Sequence, residues 1–285
     1  MQRLHRLLLG ALFITLSVGC AGLEGTQPNQ NDTFTQLDLG KEAFQQGQID
    51  QALQIFDEVV KANPQDSAAW NARGFVHAER QQWDQAIPQF QEAVKLDPDN
   101  LRYLENLGIA YLEGGYPEVA VHTFDTLLRV SSESAGLWNH RGLALSRMGR
   151  YAQAIDDFSY GISLDSQNAM LFANRAVAFI KIGKTSSAKE DLDHAIRLDP
   201  QFPQPYQSRG LLALREGNFR MAAEDFGQTL KLGVDGGDVH YNRAVALFML
   251  GKTVEANQEL RMACARGSFQ ACGQADRLAM VPEEL

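Results

Sequence analysis

The chain has 285 residues, of which 45% are hydrophobic and 21% are charged, and its formal net charge is −9. This is the composition of an ordinary globular chain, and outside the amino terminus no apolar run is long enough to span a bilayer. The acidic balance argues against nucleic acid and anionic lipid surfaces as partners, because no block of Lys and Arg offsets it.

The amino-terminal segment has the pattern of a cleaved export signal. Arg3 and Arg6 precede the apolar run 7–16, and small residues follow as far as Cys20. The ending Leu-Ser-Val-Gly-Cys resembles a bacterial lipobox, which implies a lipoprotein-type signal over residues 1–20 and acylation of Cys20. That resemblance implies a protein anchored by palmitate-type lipid in the outer membrane and facing the periplasm, because Ala21 rather than Asp follows the Cys.

The match to the lipobox departs from the usual pattern at one position. Ser17 stands where an aliphatic residue is usual. The alternative is ordinary signal cleavage after Ala21, which would give a soluble periplasmic or secreted protein. In either case residues 21–32 are polar and contain Gly25 and Pro28, so they are predicted to form a flexible tether.

The remainder of the chain is built from one unit, best seen in residues 67–100. Apolar and small residues recur there at three- and four-residue steps, which places Trp70, Gly74 and His77 on one face of a helix. Ala86, Phe90 and Ala93 form a second such face, and Pro98 ends the second helix. The unit is therefore a pair of amphipathic helices.

This unit resembles a tetratricopeptide repeat (TPR), and the spacing recurs every 34 residues without insertion or deletion. Seven repeats are predicted, at residues 33–66, 67–100, 101–134, 135–168, 169–202, 203–236 and 237–270. The small residue of the first helix is Gly40, Gly74, Gly108, Gly142, Ala176, Gly210 and Ala244. The large residue of the second helix is Phe56, Phe90, Phe124, Phe158, Leu192, Phe226 and Leu260.

The resemblance implies an all-α fold, a right-handed superhelical solenoid of seven TPR helix-turn-helix repeats. Residues 271–285 are predicted to form a capping helix and tail, because a terminal repeat would otherwise expose its apolar face.

An arginine precedes the small residue in five repeats, and an acid or amide follows it sixteen residues later. Where Leu39 or Leu107 replaces the arginine, Ile55 or Thr123 replaces the acceptor, so the two positions change together. We therefore predict structural ion pairs between the two helices of a repeat. The pairs are Arg141 with Asp157, Arg175 with Asp191, Arg209 with Asp225, and Arg243 with Glu259, and the fifth couple is Arg73 with Gln89.

No residue pattern indicates catalysis, a metal site or a cofactor. The six histidines include no pair at i, i+4, and the sequence lacks a phosphate-binding loop, a nucleophile elbow and a zinc motif. His194 follows Asp191 and Asp193, but Asp191 is already assigned to an ion pair. No small-molecule substrate is expected.

Two cysteines near the carboxyl terminus have seven residues between them. The segment around Cys264 and Cys272 resembles Sel1-like repeats, in which a Cys pair at this spacing clips two helices together. The resemblance implies a disulfide, which export would permit. Two buried thiols remain an alternative, and so does a metal site, for which only two ligands are present.

The family's concave face, formed by the first helices, usually holds a peptide or a partner helix. Here it would carry an apolar stripe with polar interruptions: Leu37, Phe44, Phe75, Ile109, Leu112, Leu143, Val177, Ile180, Leu211, Leu214, Tyr241, Val245 and Phe248. The other possibility is that many of these side chains pack against the neighbouring repeat.

We therefore predict a non-enzymatic scaffold that binds other proteins, tethered to the lipid bilayer through Cys20 in a bacterial envelope. Envelope lipoproteins of this type suggest pilus or secretion assembly, or regulation of cell-wall enzymes. An exported hydrolase, or an accessory subunit of an envelope enzyme, is the alternative from another functional class.

Overall fold

A computed structural model describes residues 30–273, with side chains from residue 36. The predicted signal with Cys20 and most of the predicted capping segment lie outside these residues. Across 30–273 every regular element is a helix and no strand is found, which confirms the all-α prediction. None of these helices is long and apolar enough to cross a bilayer.

The described residues divide into two compact units, one ending at Gly149 and the other beginning at Arg150. The helices of the first unit are α1 (Gln30–Gln45), α2 (Ile49–Ala62), α3 (Ser67–Glu79), α4 (Trp83–Leu96), α5 (Leu101–Glu113), α6 (Pro117–Val130) and α7 (Ala135–Arg147). Each helix packs on the next along the chain, and first helices also contact each other, α1 with α3 and α5 with α7. This is the consecutive pairing expected of stacked repeats.

The second unit follows the same plan. Its helices are α8 (Tyr151–Leu164), α9 (Ala169–Lys181), α10 (Thr185–Leu198), α11 (Pro203–Arg215), α12 (Phe219–Lys231), α13 (Gly237–Met249) and α14 (Thr253–Ala265). First helices α9, α11 and α13 begin 34 residues apart, and α11 contacts both α9 and α13. Residues 269–273 are again helical.

One predicted boundary is wrong. Helix α1 begins at Gln30, so residues 30–32, which were assigned to the tether, are helical. The reason is that the last helix-breaking residue of the tether is Pro28, and nothing from Gln30 onward prevents helical backbone.

The turn between the two helices of a repeat requires a left-handed residue. Glycine supplies it at Gly47 with φ 77° and at Gly183 with φ 77°. In the second repeat the same place is taken by Gln81, which has φ 58°. The turn geometry is thus kept even where the glycine is missing.

In the repeats whose second helix carries a phenylalanine, the ring packs directly on the glycine of the first helix. A Cβ atom at Gly74 would lie 2.7 Å from Cε1 of Phe90, and one at Gly108 would lie 2.8 Å from Cε1 of Phe124. Phe90 and Phe124 are almost completely buried. The glycine therefore sets how closely the two helices approach.

Candidate functional site

The arginines on the first helices join neighbouring helices. Arg175 of α9 donates from Nε and Nη2 to the two carboxylate oxygens of Asp191 on α10, both at 2.8 Å. Arg209 of α11 makes the same fork to Asp225 on α12, at 2.9 and 2.8 Å. Both aspartates are buried. The structure therefore brings these predicted partners together.

One further predicted pair, Arg243 with Glu259, is formed. Arg243 Nη1 donates to Glu259 Oε1 at 2.6 Å. Arg141 belongs to the first unit and Asp157 to the second, and their pairing stays a prediction. Gln89, the amide that stands opposite Arg73 in sequence, donates from Nε2 to the carbonyl oxygen of Gln85.

A second set of partners, not predicted from the sequence, lies sixteen residues before four of the five arginines. Arg209 Nη1 donates to Asp193 at 2.6 Å, and Arg141 Nη1 donates to Asp125 at 2.6 Å. Arg73 Nε lies 2.8 Å from a carboxylate oxygen of Asp57. At Arg175 the same position holds Ser159, whose hydroxyl accepts a hydrogen bond of 3.0 Å from Nη1. Arg175 and Arg209 thus reach the preceding repeat as well as their own.

The pKa shifts around Arg209 follow from this packing. Burial raises the pKa of the Asp225 carboxyl, and the hydrogen bonds from Arg209 act in the opposite direction. Those same bonds raise the pKa of the Arg209 guanidinium. Arg209 therefore holds the buried carboxylate of Asp225 in place.

The segment that most suggested catalysis is engaged in structural contacts. Asp193 binds Arg209, as described above, and His194 stacks on Phe172 with ring centroids 4.3 Å apart. Nδ1 of His194 also lies 3.2 Å from Arg197 Nη2. Within residues 30–273 no group of three or more His, Cys, Asp and Glu side chains is arranged to hold a metal ion.

Cys264 of α14 and Cys272 are joined in a disulfide, with Cα atoms 4.7 Å apart. The bond ties α14 to the helical residues 269–273. The structure therefore joins the two cysteines predicted to form a disulfide.

Three residues assigned to the partner-binding stripe belong to the core instead. Leu37, Phe75 and Leu112 are buried, and Phe75 packs edge to face on Phe90 with ring centroids 5.4 Å apart. A first helix has one face toward its own second helix, and this face overlaps the predicted stripe. These three side chains therefore cannot meet a partner without unpacking the repeat.

The other members of the stripe reach the surface to different degrees. Seven are half-buried, namely Ile109, Leu143, Val177, Ile180, Leu214, Tyr241 and Val245, and so is Phe44, which packs against the core. Leu211 is 40% exposed and Phe248 is 57% exposed. We call these ten residues the first-helix stripe. Each unit carries its own part of it.

Polar groups with incomplete hydrogen bonding accompany the stripe in the first unit. Asn106 donates from Nδ2 to Asn71 Oδ1 at 2.8 Å, but its own Oδ1 is buried and accepts no hydrogen bond from any described residue. Nδ1 of His140 is also buried without a hydrogen bond to any described residue, and it lies 3.6 Å from Glu105 Oε1. Burial lowers the pKa of His140 to about 4, so its ring is neutral at pH 7.

Two sequence models described as tetratricopeptide repeat match the chain. One matches residues 37–100, 76–120, 105–169 and 208–271, and the other matches 171–202. No curated protein sequence matches significantly.

Solved structures with the same architecture share little sequence with this chain. A tetratricopeptide repeat protein from Parabacteroides merdae has 18% identity and a TM-score of 0.69, over 88% of this chain and all of that one. PilF of Pseudomonas aeruginosa has 17% identity and a TM-score of 0.62, over 74% of this chain and 97% of that one. YrrB, described as a TPR protein with an unusual peptide-binding site, has 18% identity and a TM-score of 0.53, over 64% and 93%.

Proposed function

The chain belongs to the tetratricopeptide repeat family, and we propose on that basis that it is a non-enzymatic scaffold whose first-helix stripe holds a peptide or helix of a partner protein. The stripe offers half-buried and exposed apolar side chains on successive first helices. A partner segment lying across the first helices of one unit would bury that unit's part of the stripe in the manner of a groove-bound peptide.

The observation that carries the proposal is a pair of incompletely bonded polar atoms on α5 and α7, the first helices that carry Ile109 and Leu143 of the stripe. Asn106 Oδ1 and His140 Nδ1 are buried, and neither has a hydrogen-bond partner within the described part of the chain, although His140 Nδ1 lies 3.6 Å from Glu105 Oε1. A buried acceptor without a donor costs free energy, and a partner's backbone N–H would remove that cost. The apolar stripe supplies contact area, and these atoms supply a fixed point for a polypeptide backbone.

The test is partner capture by crosslinking in cells, followed by affinity measurements on matched variants. Ile109→Ala and Phe248→Ala should each weaken the partner by about 1–3 kcal/mol and leave the helical content unchanged. Val119→Ala on α6 and Val254→Ala on α14 remove exposed apolar side chains from second helices and should have little effect. Equal weakening by both pairs, or no weakening by either, would place the binding surface elsewhere.

We also propose that the protein is anchored in a bacterial envelope through an acylated Cys20. The support is the lipobox-like ending of the export signal. Labelled palmitate should enter the wild type and a Cys264→Ser control, and should not enter Cys20→Ser. Label in Cys20→Ser would contradict the proposal. A role in pilus or secretion assembly, or in control of wall enzymes, is part of the same proposal and would be decided by the identity of the captured partner.

A further inference from the structure

The arginine of the last complete repeat differs from the others in what stands sixteen residues before it. Arg73, Arg141 and Arg209 each have an aspartate there, and Arg175 has a serine. Arg243 has Gly227, which offers no acceptor. Among the five repeats with this arginine, only the last has no hydrogen-bond acceptor at the position sixteen residues before it.

The guanidinium of Arg243 is placed accordingly. Its Nη1 donates to Glu259, but its Nε is buried and has no hydrogen-bond partner within residues 36–273. Glu259 is fully used, because its other oxygen lies 2.6 Å from Nδ1 of His240. A Cβ atom at Gly227 would lie 3.4 Å from Nε and 3.5 Å from Nη2, so the missing side chain would have faced this edge of the guanidinium.

A cavity of about 650 Å³ opens beside Gly227 and Arg243. Further hydrogen-bond donors in its lining belong to Lys231, Lys252, Gln228 and Tyr206. Two of the three acids in the lining are engaged, since Arg209 binds Asp225 and Glu255 lies 3.1 Å from Lys252. The third, Glu224, is exposed. The cavity shares no residue with the first-helix stripe.

We propose that this cavity is a carboxylate-binding site in which a ligand carboxylate takes the place of the omitted aspartate. The ligand oxygens accept from Nε and Nη2, the edge of the Arg243 guanidinium that faces Gly227, and a lysine of the lining adds a further charge-assisted bond. Arginine binds carboxylates through two parallel N–H groups, and such charge-assisted bonds are the strong ones in proteins. The carboxylate belongs either to an acidic side chain of a partner or to a small free acid.

The experiment restores an aspartate at position 227, where it would compete with a bound carboxylate for Arg243. Glutarate represents the free acid, and a blocked Ala-Glu-Ala tripeptide, with Ala-Gln-Ala as its control, represents a side chain. Binding is followed by NMR shifts of backbone amides near residues 227 and 243. Gly227→Asp should weaken binding of the carboxylate probes roughly 10- to 100-fold, the range that one or two charge-assisted bonds supply. Ser159→Asp adds the same charge beside Arg175 and should leave binding unchanged.

A ligand-free measurement gives a second check. Gly227→Asp should melt at a higher temperature than Gly227→Ala, because only the aspartate meets Arg243 Nε, while both replace a helical glycine. Binding of glutarate alone would assign a free acid, and binding of Ala-Glu-Ala alone would assign an acidic peptide. The proposal is overturned if neither binds, if Gly227→Asp binds them as the wild type does, if Ala-Gln-Ala binds as tightly as Ala-Glu-Ala, or if Gly227→Asp melts below Gly227→Ala.

Discussion

The contact between a first-helix glycine and a second-helix ring is a matched pair of residues. Where the large residue is Phe, as at Phe90 and Phe226, the small residue is Gly74 or Gly210. Where it is Leu192 or Leu260, the small residue is an alanine. The reason is volume, since a methyl group fits over a leucine but not over a ring in van der Waals contact with the backbone.

This pairing predicts the result of a double-mutant cycle. Gly74→Ala should lower the free energy of unfolding by about 1–3 kcal/mol, because its Cβ would lie 2.7 Å from the Phe90 ring. Adding Phe90→Leu should cost less in the Gly74→Ala background than in the wild type. Denaturant titrations of the four proteins give the coupling energy, and additive effects would contradict the pairing.

His140 predicts a pH dependence of stability. Burial lowers its pKa from 6.5 to about 4, so between these values the unfolded chain binds a proton that the folded chain does not. The contribution is fully present above pH 6.5 and is lost as pH falls toward 4, by at most about 3 kcal/mol. Glu105 faces the ring, and burial raises its pKa, so its own contribution has the opposite sign.

The measurement compares the wild type with His140→Gln, which keeps a polar side chain that does not titrate. Both proteins retain Glu105, so the difference between their stability curves over pH 4–6.5 reports His140. The variant should lose less stability over this window. Parallel curves would show that the ring titrates normally in the folded protein.

At the scale of helices, an arginine connects three of them. Arg209 on α11 binds Asp225 on α12 and Asp193 on α10, so it joins both helices of its repeat to the one before. Neighbouring repeats are thus fixed by charge-assisted bonds as well as by apolar packing.

Removing one member of such a pair should cost more than removing both. Arg175→Leu leaves the buried Asp191 carboxylate without its two hydrogen bonds and should destabilise the protein by about 3–5 kcal/mol. The double variant Arg175→Leu, Asp191→Ile replaces the pair by apolar side chains and should recover part of that loss. Chemical denaturation measures both, and a double variant less stable than the single one would contradict this account.

The sequence predicted the helix pairs and the ion pairs within a repeat because both recur at a fixed spacing. Arg175 and Asp191 could be matched since their types vary together along one chain. The bonds to the preceding repeat, such as Arg209 with Asp193, were missed although they obey the same spacing, because Arg209 was already matched to Asp225 within its own repeat. Phe75 was misassigned because periodicity places a residue on a helix face but does not say which neighbour covers that face.

For the whole molecule, stability is a sum of contacts between neighbouring repeats, so a local change has a local range. Reducing the disulfide between Cys264 and Cys272 should lower stability by about 2.5 kcal/mol or less, the value for so short a loop. Amide exchange should accelerate in α14 and not in α9. The variant with both cysteines changed to Ser should be insensitive to reductant, and faster exchange throughout the chain would contradict this range.

Because the 34-residue spacing is unbroken, loss or gain of one whole repeat would leave the spacing of the remaining repeats unchanged. Excision of residues 203–236 would connect residue 202 to Gly237 and bring Asp193 to sixteen residues before Arg243, the relation it now has to Arg209. The shortened chain would then supply its own carboxylate where Gly227 supplies none. Recombination between repeats would thus be able to delete the proposed binding site in a single event, with no point substitution.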